Sequence, residues 1–439
     1  AELWGYIPSM ALPKLFMLAD KNYGAKHSHF VNATPQQADV YFDSAWHTIL
    51  VSGLGRGGRG FYALDVTDPS SPSVLWEFTS DTRKGAGYVK DADLGYSYGT
   101  PVITKLSDGT WAVIVTSGYN NNEVTGATGK GFVWILNAKT GAVIKKIDTE
   151  VGTTSAPAGL ARIIGYSETA STNNTATSLY GGDLLGNVWR IDINAVVGSG
   201  SGGTATVQRI ATLKNASGDV QPITSRPQVS KVGNKRVIFV GTGQYLGVTD
   251  IVSTNVQSIY ALKETNPSYG NPRASTCSAS TRTSCFVKQV YADSSNVRTA
   301  TSSVSYDVDF ETMNGWFADL PASGARASTD PALQLGTLVF TTNIPSSASA
   351  CSPGGTSNII YVNYKTGLTV PGASDIGGQL SSGGISAMAS APTLVRLPNG
   401  KVVAIINLSN GSTVTKEIPV SATNQGTRRL SWRELITGQ

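Results

Sequence analysis

Short apolar runs punctuated by glycine recur along the whole chain, and they recur in a fixed order. An apolar strand leads into Gly-rich turn sequence, an aromatic-bearing strand of the Tyr-Ala-Leu-Asp type follows, and a Thr/Gly or Asp/Pro turn introduces a further strand. The first full copy covers residues 48–53, 61–66 and 74–78; the second covers 111–117, 132–137 and 143–147, with Lys139-Thr140-Gly141 as its turn. Shorter copies lie at 179–191, 237–262, 338–367 and 402–418. The opening Leu3-Trp4-Gly5-Tyr6-Ile7 reads as the same aromatic strand without its predecessor.

Each copy is a small antiparallel sheet that cannot bury both faces alone, so the copies must stack. Radial stacking makes an all-β protein, a modified β-propeller spanning 1–439 as one domain. Six copies and the orphan strand predict seven blades. Leu3–Ile7 would then pair near 402–418 or 430–435, because an unpaired strand edge is an aggregation hazard. A linear solenoid is the alternative, although no polar capping repeat is visible. Long polar stretches at 152–177, 198–203, 266–301 and 368–390 read as rim loops, with 266–301 and 368–390 as rim insertions. Binding surfaces are expected on such loops.

Composition agrees. The chain has 48 Gly, 48 Ser and 46 Thr among 439 residues, and these types favour turns and strands over helices. The net charge of +5 is scattered. Arg56 and Arg59 form the nearest basic cluster, no basic run with interleaved aromatics tracks phosphates, and nucleic acid is not an expected partner. The longest apolar runs are strand-sized, so no membrane span is expected. The abrupt start in strand-like sequence suggests a fragment of a longer protein. Cys277 and Cys285 are spaced for a disulfide suited to an oxidising compartment, with three free thiols, including Cys351, as the alternative.

Several motifs suggest chemistry and are outweighed by simpler readings. Gly53-Leu54-Gly55-Arg56-Gly57-Gly58 matches a dinucleotide fingerprint, but a strand follows it where a helix N-terminus is needed. Gly95-Tyr96-Ser97-Tyr98-Gly99 matches a nucleophile elbow. Its continuation is extended, and His27, His29 and His47 all precede Ser97. Asp91 and Asp93 could hold a cation, though turn aspartates more often bond local backbone. Asp183 reads as closing an Asx-type turn, and the repeated aromatics as inter-blade core. No catalytic residue and no cofactor are assigned.

The segments Glu2–Pro8, Trp46–Gly55, Arg59–Pro69, Asp93–Ser97, Tyr180–Leu184, Gly186–Asp192, Gly315–Phe317, Phe340–Pro345 and Ser431–Leu435 are carried by one known family. Through them the chain resembles the C-terminal domain of PilC/PilY-type proteins, large proteins of bacterial type IV pilus tips. The resemblance implies a propeller behind a variable N-terminal region, and a non-enzymatic role in pilus biogenesis, cell adhesion and twitching motility. Implied partners are minor pilins at the pilus tip, a host or abiotic surface and the protein's own N-terminal region. The implied location is extracellular, at the pilus tip or outer membrane after export through the periplasm.

One departure qualifies the likeness. Some relatives place an aspartate-rich calcium loop before the Tyr-x-Gly-Asp-Leu segment. Here Thr169, Ser171, Asn173, Thr175 and Thr177 stand in that place, with no carboxylate among residues 169–177, so calcium is not expected there. The alternative functions are a quinoprotein dehydrogenase, whose propellers share the Tyr-Ala-Leu-Asp, Thr-Gly and Trp elements, and a general periplasmic protein-docking propeller.

Overall fold

The computed structural model describes residues 2–85, 87–168, 173–265, 267–294, 297–300, 307–346, 354–382 and 385–421. These form six sheets, one for each sequence copy. The first is a meander of β1 (Gln36–Phe42), β2 (Ala45–Gly53), β3 (Gly60–Asp65), β4 (Ser73–Thr79) and β5 (Val89–Lys90). The second comprises β6 (Val102–Lys105), β7 (Trp111–Thr116), β8 (Phe132–Asn137) and β9 (Val143–Asp148). The third comprises β10 (Ile163–Tyr166), β11 (Ser178–Gly182), β12 (Asn187–Asp192) and β13 (Thr206–Thr212).

The fourth sheet holds β14 (Gln228–Val232), β15 (Lys235–Gly241), β16 (Ser258–Lys263), β17 (Phe286–Gln289) and β20 (Gly315–Asp319). The fifth joins β18 (Tyr291–Ser294), β19 (Val297–Ala300), β21 (Ala332–Gln334), β22 (Thr337–Ser346), β23 (Gly354–Asn363), β24 (Gly377–Ser382) and β25 (Ile385–Ser386). The sixth is β26 (Thr393–Arg396), β27 (Val402–Asn407) and β28 (Thr413–Ile418). Central strands are apolar because both faces are covered: every residue of β7 is buried, and β8 is buried from Phe132 to Leu136. Outer strands such as β9 keep exposed positions.

The chain divides into two compact units, Ala1–Asp183 with Arg190–Gln208, and Leu184–Trp189 with Arg209–Thr427. In the first, one core joins β2, β3 and β4 to β7 and β8, with Trp134 and Phe78 at its centre. Trp76 of β4 crosses to the turn between β8 and β9, where its indole N–H donates to the Ala138 carbonyl at 2.9 Å. Gly141 makes room for the ring: its φ is +69°, and a Cβ there would lie 2.6 Å from Trp76.

The second unit repeats the device. Trp316 of β20, wholly buried, donates to the Tyr364 carbonyl at 3.2 Å. Gly367, at φ +70°, lies under the ring, and a Cβ would meet it at 2.7 Å. The Thr-Gly and Trp elements of the sequence repeat therefore join one sheet to the next. A disulfide links Cys277 to Cys285 across a Cα separation of 5.0 Å.

Two expectations need correction. Leu3–Ile7 forms no strand; β26 to β28 pair only with one another among the described residues, and the other candidate partner, 430–435, lies outside those residues. Instead Tyr6 and Ser9 bond Glu77 of β4: Tyr6 Oη and the Ser9 amide each donate to Glu77 Oε1 at 2.7 Å, and Ser9 Oγ donates to Oε2. Trp4 donates to the Pro69 carbonyl at 2.8 Å. Glu77 is buried, and satisfying a buried carboxylate outweighs extending a strand.

The described residues give six sheets, and the segment 430–435 that a seventh blade would use lies outside them. The rim insertions are also not simply loops. Residues 266–301 supply β17, which pairs parallel with β20, and the β18–β19 hairpin; residues 368–390 supply β24 and β25. Residues 152–177 supply β10, antiparallel to β11. Sheet edges offer unpaired backbone groups, and these polar segments fill them.

Gly141→Ala is expected to cost about 2–4 kcal/mol, since it combines a left-handed backbone with a collision against a buried ring. Chemical denaturation should show it. A second variant, Gly109→Ala, has the same sign of φ and open space around the glycine, and should cost no more than about 1–2 kcal/mol.

Candidate functional site

The connection between β15 and β16, residues 242–257, is too long for a hairpin turn and is held from beneath by one side chain. Arg326 is buried. Its Nε donates to the Gly324 carbonyl at 3.1 Å, Nη1 to those of Gln244 and Asp250 at 3.0 and 2.7 Å, and Nη2 to that of Ser253 at 3.1 Å. The guanidinium thus satisfies backbone groups that a loop would otherwise leave bare. Gly243, at φ +118°, lets the chain pass: a Cβ there would stand 2.3 Å from that of Arg326.

Asp250 ties the upper part of the connection. Its Oδ1 accepts from Gln244 Nε2 at 2.8 Å, and its Oδ2 from the amides of Leu246 and Gly247 at 2.7 and 3.0 Å. Burial pulls the Arg326 guanidinium below its ordinary value, with the Asp250 charge opposing that shift. Held this way, the connection displays Tyr245, Leu246, Val248, Val252 and Val256 to solvent, Val248 and Val252 each 81% exposed. At its foot opens a cavity of about 260 Å³, lined by Val220, Pro222, Gln244, Asp250, Gln257 and Arg326 among others.

A buried polar network underlies the same connection. Tyr260 donates to Gln221 Oε1 at 2.5 Å, and Gln221 Nε2 donates to the Val256 carbonyl and to Ser258 Oγ, both at 2.8 Å. Ser258 Oγ donates to Asp319 at 2.7 Å, and Asp319 pairs with Arg273. Burial pushes the Tyr260 phenol up to about 12, so it remains a donor at every ordinary pH. Arg273 lies four residues before Cys277, just outside the disulfide-closed segment, and its Nε donates to the Lys214 carbonyl at 2.8 Å.

The residues singled out in the sequence have other employment. Of the calcium-loop positions, Thr169 and Ser171 lie outside the described residues, as does Cys351. Asn173 Oδ1 accepts from the amide and hydroxyl of Thr175 at 3.1 and 2.8 Å, and the Thr177 amide donates to Tyr166. Between Asp91 and Asp93 stands the Lys146 ammonium, 3.0 Å from Asp91 Oδ1 and 2.7 Å from Asp93 Oδ2, and 4.1 Å from the centre of the Phe132 ring.

Ser97 is wholly buried and donates to the Gly60 carbonyl at 2.7 Å while accepting from the Leu54 amide at 2.9 Å. It clamps the glycine stretch 53–60. Arg59 lies over the Tyr96 ring at 4.3 Å and pairs with Glu123. His47 Nδ1 lies 2.7 Å from Asp65 Oδ2, with its ring stacked on Phe42. Asp183 is buried. Among the described residues no three His, Cys, Asp or Glu side chains converge as metal ligands, and no helix is long and apolar enough to cross a membrane.

The 242–257 connection was missed because it lies inside the fourth sequence copy, where one strand was expected to follow another directly. The available signal was its length together with Tyr245-Leu246 and Ile251-Val252 between glycines and polar residues.

Arg326→Met should free four carbonyls at once and lower stability by about 3 kcal/mol. Hydrogen exchange should accelerate at 244–256 beyond any change in β15 and β16. Arg326→Lys should restore little, since an ammonium lacks the planar fork. A second expectation concerns Lys146. Burial would raise the Asp93 carboxyl, but hydrogen bonds from Lys146 and Thr128 outweigh it and hold it below its ordinary value; Lys146 is correspondingly held above its own. The stabilisation is therefore complete between about pH 4 and 10, and lost as pH falls through the folded Asp93 value. Lys146→Met should cost about 2 kcal/mol at pH 7, and the gap from the parent should close below about pH 4.

Comparison with known proteins now places the chain. Residues 6–301 match the PilY1 beta-propeller domain family. The type IV pilus biogenesis factor PilY1 of Pseudomonas aeruginosa (strain UCBPP-PA14) is 33% identical over 56% of this chain and 22% of its own length. A type IV pilus biogenesis factor PilY1 homolog of Xylella fastidiosa is 29% identical over 99% of this chain and 34% of its own. The chain thus spans 22–34% of the length of these relatives. The crystal structure of the Pseudomonas aeruginosa PilY1 C-terminal domain shares the fold, with a TM-score of 0.69 and 22% identity, over 94% of this chain and 88% of that one. On its sequence match and its repeated sheets, this chain is a β-propeller that belongs to the PilY1 beta-propeller domain family.

Proposed function

We propose that this domain is a non-enzymatic binding scaffold in type IV pilus biogenesis, and that the 242–257 connection is its contact surface for a minor pilin at the pilus tip. Membership of the PilY1 family supports the pilus role, since the relatives carry the name of pilus biogenesis factors. The observation that carries the contact surface is the apolar display itself. Tyr245, Leu246, Val248, Val252 and Val256 are all more than a third exposed on a segment that Arg326 and Asp250 hold in place. A pre-ordered apolar surface loses little conformational freedom on binding, and so favours association.

Such a scaffold works outside the cell, at the pilus tip, and a disulfide between Cys277 and Cys285 suits that oxidising location. The Trp76 and Trp316 elements shared with quinoproteins act here as sheet-to-sheet packing, and the sequence holds no adjacent cysteine pair of the kind that many quinoproteins place above the quinone. Adhesion to a host or abiotic surface belongs to the same proposal as a consequence of placing the scaffold at the tip.

Val248→Asp with Val252→Asp tests it. Both positions are exposed, so folding should be unchanged, while capture of purified minor pilins from the same bacterium should weaken at least tenfold, or about 1.4 kcal/mol. Equal capture by parent and variant removes the 242–257 surface from the proposal. Failure of the parent to capture any minor pilin removes the pilin.

A further inference from the structure

The cavity at the foot of the 242–257 connection contains an unsatisfied group. Gln257 is 7% exposed, its Oε1 is buried with no hydrogen-bond partner among the described residues, and its side chain lines the cavity. Its Nε2 reaches only the Asn255 carbonyl, at 3.4 Å. A buried acceptor left unpaired carries a desolvation cost that a bound donor removes.

The charges around it narrow the choice of donor. Arg326 and Asp250 both line the cavity, so its formal charge is zero. An anion would meet the Asp250 carboxylate, and it would find the guanidinium already engaged with four carbonyls. A cation would meet that guanidinium. What remains is a neutral ligand with groups that both give and accept hydrogen bonds, the complement of carboxamides such as Asn255 and Gln257. Val220 and Pro222 add an apolar wall suited to ring C–H groups. At about 260 Å³ the cavity is smaller than the usual drug-sized site, which limits the occupant to one ring.

We propose that this cavity binds a neutral, hydroxyl-rich ligand, a single pyranose unit of a carbohydrate, with Gln257 Oε1 accepting from a sugar hydroxyl. The site is separate from the apolar display, and its occupancy does not depend on the pilin reading. Sugar sites of this kind need not be tight, since one ring gains few contacts and the expected dissociation constant is on the order of 1 mM.

Saturation-transfer NMR on the full chain decides it, with methyl α-D-glucopyranoside, methyl β-D-galactopyranoside and N-acetyl-D-glucosamine as probes. Inorganic phosphate and N-acetylglycine N-methylamide serve as the anionic and peptide comparisons. At least one pyranoside should give saturable transfer. Gln257→Leu should weaken it at least tenfold, and so should Val220→Trp, which fills the cavity and removes no polar group. Val220→Trp keeps the test open if Gln257→Leu fails to fold. Val248→Asp, which addresses pilin capture, should leave the sugar signal in place. No transfer from any pyranoside, transfer unchanged in Val220→Trp, or saturable binding of the phosphate or the peptide amide in its stead would each overturn the proposal. Arrays presenting the bound sugar on protein, on lipid and as free polysaccharide then distinguish its source.

Discussion

Within each unit, sheets are joined by an indole lying on a glycine turn of the following sheet. This contact imposes two requirements together. The turn must adopt a left-handed backbone, and it must carry no Cβ, because the ring occupies that space at Gly141 and again at Gly367. The indole N–H then finds a carbonyl of the same turn region, so a large apolar ring is buried without leaving its one polar group unpaired. Spacing between neighbouring sheets, and with it the continuous burial of strands such as β7 and β8, follows from these contacts.

Where the repeat is interrupted, charge takes over from packing. The N-terminal segment is fastened by Glu77, the segment before the disulfide by Arg273 on Asp319, and the 242–257 connection by Arg326. Each anchor is buried or nearly so, and each is hydrogen-bonded to several groups at once. An isolated buried charge is costly; one that meets several fixed dipoles is costly only when the dipoles are absent. Such anchors therefore hold irregular backbone in one arrangement, and they do so without requiring the segments themselves to be apolar.

This division explains which features were legible in the sequence. Strand copies, the Thr-Gly turns and the matching tryptophans all repeat, and short continuous apolar runs mark them. Leu3–Ile7 misled because its aromatics alternate as a strand's do, while its actual partner, Glu77, is remote in the chain and recognisable only once folded. The strands within 266–301 and 368–390 were hidden by polar composition. Their pairing is directed by open sheet edges, and the edge belongs to the fold and not to the segment. Asp91 and Asp93 looked like half a cation site and are one; their cation is Lys146, supplied by β9.

The same logic bears on where recognition can evolve in such a protein. A loop ordered by its own side chains loses order when those side chains change to fit a new partner. In the 242–257 connection, order comes chiefly from Arg326, outside the segment, and from Asp250, which points inward. Tyr245, Leu246, Val248 and Val252 lie on the outer side of that arrangement and have little part in maintaining it. Exposed positions of this kind can be exchanged at small cost to stability. Gln257 and the cavity polar groups lie on the inner side, where exchange would unbalance the charges of Arg326 and Asp250. A variable apolar outer face and a constrained neutral cavity thus follow from a single anchoring arginine.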